Sequence, residues 1–238
     1  VSAEHGDRRE RIAGRLAATR ARIEAACADA GRRPDEVTLV VVTKTFPAAD
    51  VRHLYALGVR DVGENRHPEA GEKAAATTDL DLRWHFIGQL QTNKAKAVAG
   101  YASAVHSLDR LKVVRALSVG AQAHDRDLDV LVQVSLDPQE TAAGRGGVDP
   151  PDVLALVAAV AASPRLVLRG VMAVAPLGGD PTEAFARLEQ IASAVQAVHP
   201  AATWVSAGMS NDLEAAVRHG ATHVRVGSAI LGTRPAPR

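Results

Sequence analysis

The chain has 238 residues, 47% hydrophobic and 23% charged, with a formal net charge of +1. That balance suits a soluble globular protein and provides no basic stripe to attract nucleic acid or an anionic membrane. A single cysteine, Cys27, excludes an internal disulfide framework, and no spacing of His and Cys suits a metal.

The charged start lacks the apolar run of a secretory leader, and no segment approaches the roughly 20 apolar residues of a membrane span. A cytoplasmic protein is therefore expected. Residues 8–30 carry Ile12, Leu16, Ile23 and Ala26 at helical spacing and stop at Gly31, with Pro34 beyond. Residues 1–35 are thus expected to form an extra N-terminal helix packed on the rest. Residues 37–43 (VTLVVVT) form a β-branched run without polar alternation, which suits a parallel strand covered on both faces. Further strand-like runs follow at 59–62, 82–87, 104–107, 128–135, 166–173, 203–206 and 223–226. Helix-like runs lie between them at 48–57, 68–76, 91–99, 109–120, 151–162, 181–198 and 211–219.

Eight strands, each followed by a helix or a helical stub, predict an α/β fold. The expected form is a single (β/α)8 TIM-type barrel spanning 1–238, about the usual size of roughly 250 residues. A doubly wound open sheet also alternates strand and helix, but the regular spacing and the count favour the barrel. The turn-rich stretch 137–151 falls between a strand and a helix and reads as a long loop at the barrel mouth.

In such a barrel the active residues sit at the C-terminal ends of strands, and phosphate is often held after the last two. Gly208–Asp212 (GMSND) follows the seventh strand, with Ser210 or Asn211 as a candidate helix cap, and Gly227–Gly232 (GSAILG) follows the eighth. Glycine lets an anion approach the backbone, though ordinary capped turns would look the same. Of the five lysines only Lys44 closes a strand. Lys73 and Lys112 are expected to be solvated on amphipathic helices. Lys44 shares parity with Thr38, Val40 and Val42, so with those facing inward it stands in the mouth. A partly desolvated lysine has a lowered pKa and can form an imine; the alternative is a lysine that snorkels to water.

Arg225 alternates with Val224 and Val226 and should point into the barrel, where a charge needs a partner. That partner is either a carboxylate such as Glu64 or the pyridine nitrogen of a cofactor. In the second case the nitrogen stays unprotonated and the cofactor is a poor electron sink. Asn65 at the end of the second strand could reach a ligand or serve a turn, while His85 and His106 read as satisfied core histidines. No G-x-S-x-G elbow, Walker loop or H-E-x-x-H motif occurs.

Six collinear segments now stand out: Val40–Thr45 (VVVTKT), Val62–Asn65 (VGEN), Trp84–Lys94 (WHFIGQLQTNK), Val105–Asp109 (VHSLD), Arg169–Pro176 (RGVMAVAP) and Gly208–Gly232. Together they resemble the pyridoxal phosphate homeostasis proteins over nearly the whole chain, Trp84–Lys94 and Gly208–Gly232 being the most specific. The resemblance implies a fold-type III barrel like the N-terminal domain of alanine racemase, with pyridoxal 5'-phosphate as a Schiff base on Lys44. It further implies phosphate contacts from Ser210, Gly227 and Ser228, a ring-nitrogen contact from Arg225, and Asn65 near the ring. Members of the family have no established catalytic activity and are thought to influence the supply of the cofactor. The expected partners are accordingly the cofactor and pyridoxal-phosphate-dependent apo-enzymes, met by a monomer.

Two departures accompany the resemblance. Arg145 stands in the loop after the fifth strand where the family usually carries lysine, which keeps the charge but removes a second imine-forming amine. Pro68 stands where the family often has Gln, a change expected to spare Asn65. The competing function is an amino-acid racemase of the same fold, which needs a base on each face of the substrate carbon. In alanine racemase the second base is a tyrosine from a further domain; here the tyrosines are Tyr55, in a helix, and Tyr101, in a turn. The missing base favours binding without turnover. A barrel enzyme that takes another phosphorylated ligand is the third reading.

Overall fold

The computed structural model describes residues 2–137 and 146–233, with side chains from Asp7 onward. Arg145 therefore lies outside the described residues. Eight parallel strands close on themselves in sequence order: β1 (Thr38–Val42), β2 (Asp61–Glu64), β3 (Arg83–Phe86), β4 (Ala104–Leu108), β5 (Leu128–Gln133), β6 (Leu166–Met172), β7 (Trp204–Ser206) and β8 (His223–Val226). β1 pairs with β8 through Thr38–His223 and Val40–Arg225, which seals the barrel and leaves no free edge. The expected TIM-type barrel is thus the observed one.

Nine α-helices surround it among the described residues: α1 (Ser2–Asp29), α2 (Ala48–Ala56), α3 (Glu69–Ala75), α4 (Ala95–Ala99), α5 (Leu111–Ala123), α6 (Val153–Ala161), α7 (Pro181–Val198), α8 (Leu213–Arg218) and α9 (Ser228–Leu231). Two apolar clusters fill the space between strands and helices. One gathers Phe86, Leu108, Leu117, Val132, Val157 and Phe185. The other gathers Ile12, Leu16, Val41, Leu54, Val62 and Val226 beneath α1. Each fully buried Leu or Val contributes about 1.5–3 kcal/mol, and the many alanines let the short helices lie close to the sheet. Cys27 belongs to the second cluster and is fully buried, which pushes its thiol pKa up.

The N-terminal helix docks on α2, α8 and α9. Arg22 forks onto Glu214 at 2.8 and 3.0 Å, and Arg32 caps the carbonyls of Val217 and Ala221. Its end is the expected one: Gly31 takes φ 65 and Arg32 N–H bonds Cys27 O at 2.8 Å.

Two boundaries moved for local reasons. The second strand was expected at 59–62 but forms at Asp61–Glu64. Val59 N–H is consumed by Leu54 O, in the same kind of helix stop around Gly58, so pairing begins two residues later. The fifth helix was expected to stop at Gly120 but runs to Ala123. A Cβ on Gly120 would stand 2.8 Å from Lys96 Cα, so this glycine serves the close approach of α4 rather than a helix end.

Candidate functional site

The interior face of β1 carries Val40 and Val42, as its parity requires: a Cβ on Gly63 would meet both, together with Ile87, inside the barrel. At the C-terminal ends of the strands lies a cavity of about 520 Å³. It is lined by Val42, Ile87 and Arg225, by Lys44 and Phe46 beyond β1, and by Met209–Asp212, Gly227 and Ser228 beyond β7 and the adjoining β8. Segment 175–179 makes the lip, where Leu177 is 87% exposed.

Lys44 is half-buried, two residues past the end of β1. The next residue, Thr45, adopts φ 69, a left-handed conformation that costs a non-glycine residue on the order of 1–3 kcal/mol. Glu69 at the start of α3 offsets this by accepting the Thr45 N–H at 2.6 Å. The backbone thus turns sharply just beyond the lysine and holds it at the mouth. Sequence reading missed this, because nothing in the Lys-Thr-Phe string marks a positive φ.

Beyond β7 and β8, Ser210 Oγ and Ser228 Oγ lie 3.5 Å apart. The cap expected of Ser210 or Asn211 is absent from α8, which begins one residue after Asp212. The Asp212 carboxylate accepts from Met209 N–H at 2.6 Å, so the loop is braced without using the Ser210 hydroxyl. The first helical bonds of α9 are donated by Ile230 and Leu231 to Gly227 O, so the amides of Ser228 and Ala229 precede the ladder. A Cβ on Gly227 would come within 3.0 Å of Val42 O, so only glycine lets β8 turn so close to β1.

Arg225 is buried below the cavity, and burial pushes its pKa down to about 10, with Asp212 pulling the other way. It donates to Ser206 Oγ at 2.6 Å and to Ala173 O at 2.9 Å. The ion pair with Glu64, one of the two partners considered for it, does not form. Glu64 is held instead by Lys73 at 2.7 Å, and Thr43 Oγ1 donates to it at 2.6 Å. Lys73 is therefore buried, contrary to the expectation of a solvated helix residue; it also donates to Glu69 Oε1 and Thr43 O. Its amine is needed because burial raises the Glu64 pKa, and Lys73 and Thr43 draw it back. Lys112 is exposed, as expected.

Asn65 lies half-buried at the end of β2, with its backbone against Gly88, and stands outside the cavity lining that unites the other five expected residues. Pro68 occupies the cap position of α3. His85 and His106 are buried and hydrogen-bonded to each other at 2.9 Å, as satisfied core histidines should be. Not anticipated was their continuation: His85 reaches Asp61 at 2.8 Å and His106 reaches Ser206 at 2.9 Å. The signal lay in the parity of DVGE and HVRV, which turns Asp61 and His223 inward with Gly63 and Arg225.

The donors around the cavity fit pyridoxal 5'-phosphate: a lysine amine for its aldehyde, two hydroxyls and early helix amides for its phosphate, and a guanidinium for its ring nitrogen.

A family model described as the alanine racemase N-terminal domain matches residues 15–235. The pyridoxal phosphate homeostasis protein of Mycobacterium tuberculosis (strain ATCC 25618 / H37Rv) is 44% identical over 247 residues, covering 96% of this chain and 95% of that protein. Its counterpart from Escherichia coli (strain K12) is 37% identical, with 94% and 97% covered. The solved structure of PipY from Synechococcus elongatus PCC7942 with PLP bound is 36% identical, covers 93% of this chain and all of that one, and superposes with a TM-score of 0.81. Alanine racemase from Corynebacterium glutamicum, at 14% identity and a TM-score of 0.68, shares the fold, this chain covering 60% of its length. The curated relatives carry the name of a homeostasis role and not of a reaction. With this family model and relatives above 40% identity over nearly its whole length, the chain belongs to the pyridoxal phosphate homeostasis proteins, built on the alanine racemase N-terminal fold.

Proposed function

We propose that the chain binds pyridoxal 5'-phosphate as a Schiff base on Lys44 and takes part in intracellular homeostasis of that cofactor without catalytic turnover. The observation that carries the reading is that Lys44, Ser210, Arg225, Gly227 and Ser228, expected from separate motifs, line one cavity. The cofactor supplies an aldehyde and an anionic phosphate. Lys44 Nζ would hold that aldehyde as an imine, with one water released on condensation. Ser210 and Ser228 would donate to the phosphate together with the backbone at Gly227, and Arg225, which only donates, would meet the pyridine nitrogen as an acceptor. Asn65, which is not part of the cavity lining, would have to reach toward the ring from the end of β2.

Absence of turnover is supported by the relatives' names and by where the tyrosines sit. Tyr55 is covered by Arg60, 3.9 Å from its ring, outside the barrel. Tyr101 stacks on His67 at 6.0 Å, and burial, with Glu64 nearby, pushes its pKa up. Neither lines the cavity, so among the described residues no tyrosine is placed as a second base. The same reading makes the protein a cytoplasmic monomer that passes cofactor to apo-enzymes, with the exposed Leu177 lip as the first surface they would meet. No helix among the described residues is long and apolar enough to cross a membrane.

The test is an absorption spectrum before and after pyridoxal phosphate is added. A new Schiff-base band, abolished by borohydride and absent in Lys44→Ala, is expected. A colourless protein would favour another phosphorylated ligand, and racemisation of alanine or serine that disappears in Lys44→Ala would favour the enzyme.

A further inference from the structure

Between mouth and floor the interior is crossed by one continuous line of polar side chains. Arg225 Nη1 lies 2.6 Å from Ser206 Oγ, and that oxygen lies 2.9 Å from His106 Nδ1. His106 Nε2 lies 2.9 Å from His85 Nδ1, and His85 Nε2 lies 2.8 Å from Asp61 Oδ1. The two ends open on different surfaces. Arg225 lines the mouth cavity, whereas Asp61 lines a second cavity of about 350 Å³ at the floor, beside Arg83.

The direction of the line follows from its ends, since a guanidinium only donates and a carboxylate only accepts. Arg225 takes one lone pair of Ser206, and among the described residues His106 Nδ1 is the acceptor in reach of the Ser206 hydroxyl proton. His106 then carries its proton on Nε2 and donates to His85 Nδ1. His85 carries its own on Nε2 and donates to Asp61. Every donor faces one acceptor, and all four bonds point from mouth to floor. Reversing the middle would require an imidazolium at His85 and would leave the Ser206 proton without this acceptor. It would also add a second cation to an interior that already buries Arg225, which is costly. His223 flanks the line with its ring centre 6.2 Å from those of His85 and His106, and shares a hydrogen bond with Thr222 instead.

Arg225 needs such a line, because both of its hydrogen-bond partners, a hydroxyl and a carbonyl, are neutral. Aligned hydrogen bonds polarise one another, and this series ends on a carboxylate that Arg83 holds from outside at 2.5 and 2.7 Å. We propose that Ser206, His106, His85 and Asp61 are positioning residues that form a one-way relay, fixing the Arg225 guanidinium toward the mouth from the opposite end of the barrel. Its consequence for cofactor binding rests on Arg225 meeting the pyridine nitrogen, as read above; its existence in the cofactor-free protein does not.

The test uses the full chain without cofactor. Nitrogen-15 NMR at neutral pH, assigned with His85→Gln and His106→Gln, is expected to show both rings protonated on Nε2 and bare on Nδ1. A proton on Nδ1 of either ring overturns the proposal. Asp61→Asn then reads the coupling, because the amide oxygen can still accept from His85 while the charge is gone. Shifted His106 nitrogens and several-fold faster water exchange of the Arg225 guanidinium protons are expected, with an unchanged circular dichroism spectrum. Unchanged exchange at Arg225 would reduce the line to packing and overturn the relay. Should that variant fail to fold, the tautomers of the unsubstituted chain decide. With cofactor, Ser206→Ala is expected to bind roughly three- to tenfold more weakly while the Schiff base still forms. Correct tautomers without any Schiff base would sink the cofactor reading and leave the relay; a Schiff base with reversed tautomers would sink the relay alone.

Discussion

The mouth and the floor of this barrel treat polar groups in opposite ways. At the mouth, an amine, two hydroxyls and a guanidinium line one cavity, and the Asp212 carboxylate beside them is turned onto Met209 N–H. At the floor, Asp61 is closed in by Arg83 and His85, and the histidine above it is closed in by the next. Both ends are rich in ionisable residues, so composition does not separate them. Placement does: groups enclosed among one another hold the fold, and donors that line a cavity can meet an anion.

The sharpest way to break this comparison is at Lys44. Lys44→Ala is expected to abolish the Schiff-base band while leaving the melting temperature within a few degrees, since the side chain stands at a half-exposed strand end. A large loss of stability would make it a structural lysine.

Lys73 should behave in the opposite sense. Lys73→Met leaves the Glu64 carboxylate, 1% exposed, without its cation, and is expected to cost about 3–5 kcal/mol by urea unfolding. Adding Glu64→Gln should return much of that loss. If the single variant is as stable as the parent, the pair is not buried in solution.

The floor also has a pH signature. Burial pushes the His106 pKa well down and that of His223 down to about 3, so both stay neutral in the folded barrel. In the unfolded chain each binds a proton near pH 6.5. Below that pH the unfolded state holds more protons, so stability falls as pH falls, with a slope approaching about 1.4 kcal/mol per unit for each histidine. Burial alone would raise the Asp61 carboxyl, but His85 and Arg83 outweigh it and hold it low, so its contribution is lost only as the pH drops below about 3.9. A urea midpoint unchanged between about pH 7 and about pH 4.5 would contradict a neutral histidine core.

The smallest effect is expected at the phosphate wall. Ser228→Ala removes one hydroxyl from a charged ligand and should weaken pyridoxal phosphate binding about tenfold, near 1.4 kcal/mol, with stability unchanged. Titration of the absorption band measures it, and an unaltered affinity would move the phosphate elsewhere.

Much of this was legible in the residues, for identifiable reasons. Strand and helix alternation fixed the barrel because a β-branched run such as TLVVV has few other places to go. The parity of Val40, Val42 and Lys44 already points the lysine to the mouth. Pairings between distant segments were hidden, since sequence carries residue types and not distances. Lys73 looked like any helix lysine until Glu64, nine positions away, proved to be its partner. Asp61 fell inside a strand expected two residues early, and its place as the first residue of β2 was hidden because the helix stop around Gly58 consumes the Val59 N–H. Thr45 was invisible because a left-handed threonine has no signature in its neighbours.

The most direct measurement is peptide mapping by mass spectrometry after incubation with pyridoxal phosphate and borohydride reduction. One phosphopyridoxyl group on the peptide that contains Lys44, with Lys73, Lys94, Lys96 and Lys112 unmodified, is the expected result. An adduct on a different lysine, or none at all, would contradict the site at the mouth of the barrel.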